Sequence, residues 1–125
     1  APEYFETFLG ALTAGWALDD VSPFFSAALV ERSTRKYWED RMLCFAQLGR
    51  LKSHGRPMTS DSALFSGRVL YLIPGRFENG DATVYVWISK SEGRIHVEGL
   101  NMAAGDKPLN DDSWCKAFRG SQRTG

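Results

Sequence analysis

A change of hydrophobic period near Thr59 is the feature that most constrains how this chain can fold. Before Thr59, apolar residues recur every three or four positions, which is the spacing of one face of an α-helix. After it, apolar, aromatic and β-branched residues alternate or run together, as they do in strands. Helices followed by strands predict an α+β fold, in which three N-terminal helices pack on an antiparallel sheet.

The length of the chain fits one domain. Its 125 residues are too few for two ordinary domains, and 43% of them are hydrophobic. A chain of this size can bury enough surface to fold without a metal ion or a disulfide. We therefore expect a single domain over 1–125, with helices over about 3–53, a sheet over about 58–102 and an irregular tail over 103–125.

Three helices are predicted from the N-terminal half. The first spans Pro2–Leu18 and ends at Asp19-Asp20. The second begins at Ser22-Pro23, since serine is a good N-cap and proline suits the first turn. The third is capped by Ser33 or Thr34 and closed by Gly49 or Gly55. The hinge between helices and sheet is predicted at His54–Pro57. The apolar stripe of the first helix comprises Phe5, Phe8, Leu9, Leu12 and Trp16. That of the third comprises Tyr37, Trp38, Met42, Phe45 and Leu48, and Leu51 could extend it.

Three strands are predicted to form a meander over 64–77, 81–89 and 94–102, and a short extra strand could lie near Met58 or in the tail. Asn79-Gly80 is a strong signal for a two-residue hairpin turn, in which both residues need positive φ. Ser91-Glu92-Gly93 indicates a second, looser turn. Pro74-Gly75 interrupts the first strand and indicates a bulge or bend that curves the sheet.

The alternation of residues along the middle strand predicts one aliphatic face and one face with aromatic and polar side chains. Its small aliphatic side chains suit packing on helices, whereas Tyr85 and Trp87 would look outward. His96 and Glu98 of the next strand could lie beside them. An outward aromatic surface favours a partner interface, although the tail could instead cover it through Trp114 and Phe118, or it could line a ligand pocket. The aliphatic face comprises Ala82, Val84, Val86 and Ile88, and the other face Thr83, Tyr85, Trp87 and Ser89.

Short motifs along residues 4–102 carry a resemblance to a known family. They are Phe8-Leu9, Ala14-Gly15, Phe24-Phe25-Ser26 and the runs 45–53, 77–84 and 93–100. Together with the order of elements, they resemble the nuclear-transport-factor-2-like (cystatin-like) superfamily, in particular its small bacterial domains of unknown function. The resemblance implies a curved sheet wrapped around the long helix as a cone-like roll. That cone holds a ligand in some members and a closed core in others, and many members dimerise through the open face of the sheet.

The sequence predicts no catalytic residue, metal ligand or cofactor. It contains no glycine-rich phosphate loop, no Cys-x-x-Cys pair and no nucleophile elbow. His54 is interpreted as a solvated loop residue. His96 and Glu98 could form an acid–base pair in a pocket, but an exposed polar patch is the more ordinary interpretation.

The charge balance and the lengths of the apolar runs argue against two classes of partner, nucleic acid and the membrane interior. Fifteen basic residues balance fifteen acidic ones, which argues against nucleic acid because such binding needs a concentrated positive field. No apolar run reaches the roughly 20 residues of a membrane span.

Cys44 and Cys115 are interpreted as two buried thiols or, in an oxidising compartment, as one disulfide. The chain starts without Met, as after removal of a signal peptide or by trimming, so a periplasmic or secreted location and a cytoplasmic one both stay open.

Three functions remain compatible with these patterns. The first is a non-enzymatic binding or assembly module that acts through the open sheet face, as a dimer or with another protein. The second is a small-molecule enzyme or carrier of isomerase or dehydratase type, whose pocket inside the cone Tyr71, Tyr85, Trp87 and His96 would line. The third is a structural accessory domain of an assembly in the cell envelope.

Overall fold

The computed structural model describes residues 2–60, 68–91, 93–104 and 107–108, and in them the chain is an α+β fold. The α-helices are α1 (Pro2–Thr13), α2 (Leu18–Val21), α3 (Ala27–Arg32) and α4 (Arg35–Phe45), with 3-10 helices at Ser22–Phe24 and Ala46–Leu48. The strands are β1 (Leu51–His54), β2 (Met58–Ser60), β3 (Val69–Phe77), β4 (Gly80–Ser91), β5 (Arg94–Ala104) and β6 (Lys107–Pro108). The predicted order of helices before sheet is confirmed.

The described strands form one antiparallel sheet of order β1-β3-β4-β5-β6. β2 also pairs with β3, farther along the same side of that strand than β1. β1 and β2 therefore share one position, and the sheet is five strands wide. β3, β4 and β5 form the predicted meander, and Ser91 pairs with Arg94 across the predicted second turn.

The first predicted helix is too long. α1 ends at Thr13, and Asp19 and Asp20 lie inside α2 instead of ending the first helix. Between the two helices, Trp16 has a φ of 54°, which breaks the helical stripe. Its indole Nε1 donates to the Gly49 carbonyl at 3.1 Å. This tertiary bond outweighs the local helical spacing.

The N-cap of α3 is a serine, and that of α4 is a threonine. Ser22-Pro23 begins a 3-10 helix, whereas the cap of α3 is Ser26, whose Oγ accepts from the Leu29 N–H at 3.1 Å. Thr34 is the cap of α4 and accepts from the Tyr37 N–H at 3.1 Å. The N-terminal half therefore holds two short helices, α2 and α3, where one was predicted.

The sheet begins earlier than predicted. β1 occupies the end of the predicted third helix, which stops instead at the 3-10 helix Ala46–Leu48. Gly49, with a φ of 80°, turns the chain there. The predicted hinge His54–Pro57 links β1 to β2 rather than helix to sheet. Lys52 and Ser53 are exposed in this edge strand, so no apolar alternation signals it.

The β3–β4 turn is shifted by one residue. Phe77 pairs with Gly80, so Glu78-Asn79 forms the two-residue loop. Among the described non-glycine residues only Trp16 has a positive φ, so Asn79 lacks the conformation predicted for it. Asn79 is instead held at the end of the helical half, where its N–H donates to the Leu48 carbonyl and its Nδ2 to the Gln47 carbonyl.

The strand register is irregular at two bulges, neither of them at Pro74-Gly75. These two residues pair in regular register with Thr83 and Ala82. One irregularity lies in β1 between Leu51 and Ser53, and the other lies opposite Trp87 and Ile88 of β4. A bulge increases local twist and redirects a side chain, so the second one alters which residues of β5 share a face.

The core lies between the helices and one face of the sheet, here called the inner face. β4 contributes its four predicted aliphatic residues, all buried, which confirms the predicted core side of this strand. The helices pack large apolar side chains on them, and burial of this kind provides the main favourable term in folding. The fully buried members with the largest volumes are Phe8, Phe45, Leu9, Leu12, Met42, Ile73, Met102, Val21, Val84, Val86 and Val97.

Candidate functional site

The side of the sheet opposite the core, here called the outer face, carries the predicted aromatic residues of β4. Tyr85 pairs with Leu72 of β3 and Asn101 of β5, and Trp87 pairs with Leu70 and Gly99. Because paired residues of adjacent strands point to the same side, these side chains form one continuous patch. All are partly exposed.

Tyr71 does not belong to this patch. It pairs with the buried Val86, so it lies on the inner face. Its ring centroid is 4.7 Å from that of Phe5 in α1. Alternation along β3 explains the difference, because Leu70 and Leu72 take the outer positions.

His96 and Glu98 are separated by the bulge in β5. His96 pairs with Ser89, so it lies on the outer face. Trp87 pairs with Gly99 and Ile88 with Val97, which leaves Glu98 as the extra residue without a pairing partner in β4. The two-residue spacing therefore does not make His96 and Glu98 regular neighbours in the ladder, and their use as an acid–base pair stays a prediction.

Glu98 lies in a polar cluster at the edge of the sheet, with its side chain only 11% exposed. Its Oε1 accepts from Ser89 Oγ at 2.7 Å, and its Oε2 lies 3.8 Å from Arg68 Nη2. Burial acts to raise the pKa of Glu98, but hydrogen bonds from Ser89 and Ser26 and the charges of Arg68 and Arg32 outweigh it and lower the pKa. Glu98 is therefore a stably ionised carboxylate that joins strands and helices.

The same bulge anchors α3 to β5. Arg32 Nη2 donates to the Glu98 carbonyl at 2.8 Å, and the Ser26 N–H donates to the Val97 carbonyl at 2.8 Å. Phe25 and Val97 form an isolated parallel bridge beside these bonds. The N-terminal end of α3 thus lies along the edge of β5 and continues its hydrogen bonding.

A groove of about 250 Å³, here called the edge groove, opens between this edge and α4. It reaches the outer face at Trp87, whose indole lies against Gly99: a Cβ added to Gly99 would be 3.1 Å from Trp87 Cε3. Its lining residues are Leu29, Arg32, Ser33, Tyr37, Trp38, Arg41, Trp87, Glu98, Gly99, Leu100 and Asn101. No sequence pattern indicated this groove, because its walls come from segments far apart in the chain.

His54 differs from the solvated residue that was predicted. Its Nε2 lies 2.6 Å from Glu6 Oε1 in α1, and its Nδ1 lies 2.9 Å from the Gly55 carbonyl oxygen. The imidazole is half-buried and joins β1 to α1, which gives it a structural role.

The remaining questions from the sequence concern a metal site, a membrane span and the two cysteines. Within the described residues, no three His, Cys, Asp or Glu side chains are grouped as a metal ion would need. None of the described helices is long and apolar enough to cross a membrane. Cys44 is buried on α4, whereas Cys115, Trp114 and Phe118 lie outside the described residues. The disulfide and the covering of the outer face by the tail therefore stay predictions.

No family model, curated protein or solved structure matches this chain.

Proposed function

We propose that this protein is a non-enzymatic binding or assembly module that acts through its outer face, by pairing with a second copy or by binding another protein. The observation that carries the proposal is the two-faced β4 strand. Its aliphatic side chains are buried under the helices, while Tyr85 and Trp87 lie on the opposite side next to Leu70 and Leu72. Tyrosine and tryptophan give large contact areas and are enriched in the centres of protein interfaces.

The small-molecule alternative has less support. It needs a pocket between the sheet and the helices, where Ile73, Val86 and Val97 are fully buried among apolar side chains. Tyr71, one of its candidate lining residues, packs on Phe5. Tyr85 and Trp87 lie on the other side of the sheet, so the inner face does not gather the side chains that such a site would use.

The family proposal rests on the order of elements. Four α-helices in the described part, followed by a long antiparallel meander, agree in general with the nuclear-transport-factor-2-like resemblance. The bulges in β1 and β5 are the kind of feature that curves a sheet into a cone-like roll. If the fold is of that type, its open face is the outer face, which is the surface used for pairing in many members.

Sedimentation equilibrium of the protein and two arginine variants tests the self-association form of the proposal. Tyr85→Arg places a charge in the centre of the outer face. Leu43→Arg is the matched control, since Leu43 is 62% exposed on α4. We expect the wild-type mass to rise with concentration, and Tyr85→Arg to weaken the association by more than about tenfold, or about 1.4 kcal/mol. Leu43→Arg should associate like the wild type.

Two results would contradict this form of the proposal. A wild-type protein that stays monomeric at every accessible concentration would exclude self-association. A loss of association in Leu43→Arg as large as in Tyr85→Arg would move the interface to the helices. Circular dichroism of both variants establishes that any change in mass comes from folded protein.

A further inference from the structure

The turn between β3 and β4 supplies hydrogen-bond donors to the end of the helical half. The Asn79 N–H donates to the Leu48 carbonyl at 3.0 Å, and Asn79 Nδ2 donates to the Gln47 carbonyl at 2.9 Å. Both carbonyls belong to the 3-10 helix Ala46–Leu48, which continues α4. Because the last carbonyls of a helix have no partner within it, Asn79 caps this end from a distant part of the chain.

Glu78, the other residue of the turn, bonds to the same junction with the opposite polarity. Its N–H donates to the Arg50 carbonyl at 2.9 Å, and its Oε1 accepts from the Arg50 N–H at 2.6 Å. The carboxylate of Glu78 therefore faces a donor, whereas the side chain of Asn79 faces a carbonyl oxygen. An amide suits the second position and a carboxylate does not, since an ionised carboxylate only accepts.

The pair Asn79-Gly80 is also chemically labile. The Gly80 nitrogen can attack Asn79 Cγ: an N–Cγ bond closes a succinimide ring, the Gly80 N–H proton passes through water to Nδ2, and Nδ2 leaves as ammonia. Water then opens the ring at either carbonyl and gives aspartate or isoaspartate, so that the net change is hydrolysis of an amide to a carboxylate. Glycine has no side chain to hinder the attack, and both residues are exposed to water.

The folded turn opposes this reaction. The attack needs rotation about the bonds of Asn79 to bring its Cγ onto the Gly80 nitrogen. The bond to Leu48 fixes the Asn79 backbone, the bond to Gln47 fixes its side chain, and pairing with Phe77 holds Gly80 in the sheet. Local opening of the turn, of the kind that amide exchange detects in folded proteins, would release all three constraints together.

We propose that Asn79 is a deamidation site that reacts when this turn opens and whose product does not restore the closed junction. A carboxylate there would face the Gln47 carbonyl oxygen and add negative charge at the negative end of the helix dipole. In isoaspartate the main chain runs through Cγ, which lengthens a two-residue loop. The modification goes beyond the proposed function, because it requires no association through the outer face.

Peptide mapping by mass spectrometry tests the gating by the fold. Folded protein and protein unfolded in guanidinium chloride are incubated at the same mildly alkaline pH and temperature. Asn79 should convert to aspartate and isoaspartate at least about tenfold faster in the unfolded protein, because the folded protein reacts only through its open fraction. Asn101 is the internal control: in the unfolded chain it should react more slowly than Asn79, since the Met102 side chain hinders the attack.

Equal rates at Asn79 in the folded and unfolded protein would exclude gating by the turn. A rate at Asn79 no greater than that at Asn101 in the unfolded chain would exclude a labile site.

Aspartate variants test the consequence of the modification. Asn101→Asp is the matched control for Asn79→Asp, because it makes the same charge change but keeps the oxygen that accepts from the Met102 N–H at 2.8 Å. At neutral pH, Asn79→Asp should lower the urea midpoint more than Asn101→Asp or Asn79→Ala does. Its excess over Asn79→Ala should disappear at about pH 3, where most of the aspartic acid is protonated and can donate.

A midpoint of Asn79→Asp equal to that of Asn101→Asp at neutral pH, or an excess over Asn79→Ala that persists at low pH, would contradict the proposed effect of the carboxylate. If neither Asn79 variant folds, partly modified wild-type protein returned from guanidinium chloride to buffer still decides. Aspartate and isoaspartate at position 79 should be enriched in the fraction that does not refold, and an even distribution would overturn the proposal.

Discussion

Gly49 joins the helical half of the chain to the sheet at a single residue. Its φ of 80° ends the last helical turn, and its carbonyl accepts from the Trp16 indole. A Cβ at this position would lie 3.0 Å from Glu78 Cβ and 3.1 Å from Glu78 Oε1. The conformation and the close approach of the hairpin turn both require glycine.

Gly49→Ala should lower the free energy of unfolding by about 2–3 kcal/mol, because it combines an unfavourable φ with steric overlap. Urea denaturation measures the change. Gly10→Ala is the control: Gly10 lies in α1, where an added Cβ would meet no described atom within 4 Å, and alanine there should stabilise by about 0.5–1 kcal/mol. Equal effects of the two substitutions would contradict this role of Gly49.

Glu98 should make the stability of the protein depend on pH. Its pKa is lower in the folded state, so its contribution is fully present above the unfolded pKa and is lost as pH falls through the folded pKa. Glu98→Gln should therefore destabilise the protein more at pH 7 than at about pH 3, as measured by urea denaturation at both values.

The exposed Glu31 of α3 provides the control for that experiment. Glu31→Gln should change stability little at either pH, since exposed substitutions usually stay within about 0.5 kcal/mol. An effect of Glu98→Gln that is the same at both pH values would show that ionisation of Glu98 does not contribute to folding.

At the scale of elements, the structure identifies the N-cap of α4, for which the sequence offered Ser33 and Thr34 equally. Thr34 Oγ1 accepts from the Tyr37 N–H, whereas Ser33 is the residue before the cap. Thr34→Ala should cost about 1 kcal/mol, and Ser33→Ala less than about 0.5 kcal/mol. Thermal or urea denaturation of the two variants measures the difference, and a larger loss in Ser33→Ala would place the cap there.

Elements with a strong local pattern could be predicted from the sequence, and those decided by tertiary contacts could not. The alternation of β4 identified its buried side correctly. So did the apolar stripe of α4, except at the exposed Tyr37 and at Leu51, which lies in β1. β1 was missed because its polar residues show no period and only pairing with β3 makes it a strand. The bulge at Glu98 was missed for the same reason, since register is a property of two strands.

In the candidate sites too, features with a local sequence pattern could be predicted, and those that depend on tertiary contacts could not. Tyr85 and Trp87 could be predicted from one strand, because alternation alone places both on one side. Tyr71 was grouped with them wrongly, since its face depends on its register with β4. The edge groove could not be predicted, because Arg41 on α4 and Gly99 on β5 are far apart in the sequence and line one groove only in the folded chain.

At the scale of the whole molecule, a Cys44–Cys115 disulfide would tie the tail to α4. We expect the bond to form in protein from an oxidising compartment, so that thiol quantification under denaturing, non-reducing conditions finds no free thiol. Closing a loop of this length stabilises by about 4 kcal/mol in the chain-entropy model, so reduction should lower the urea midpoint, with Cys115→Ser as the control that reductant leaves unchanged. Two titratable thiols would contradict the bond.

The central claim is that the molecule makes its contacts through the outer face of the sheet. Fluorine NMR of protein labelled with 5-fluorotryptophan tests it most directly, because Trp87 lies on that face while Trp16 packs near Phe77, with ring centroids 6.0 Å apart. On dilution, the Trp87 resonance should shift from its associated to its free position, and the Trp16 resonance should stay constant. A Trp87 resonance that is independent of concentration, or a shift confined to Trp16, would contradict the claim in its self-association form.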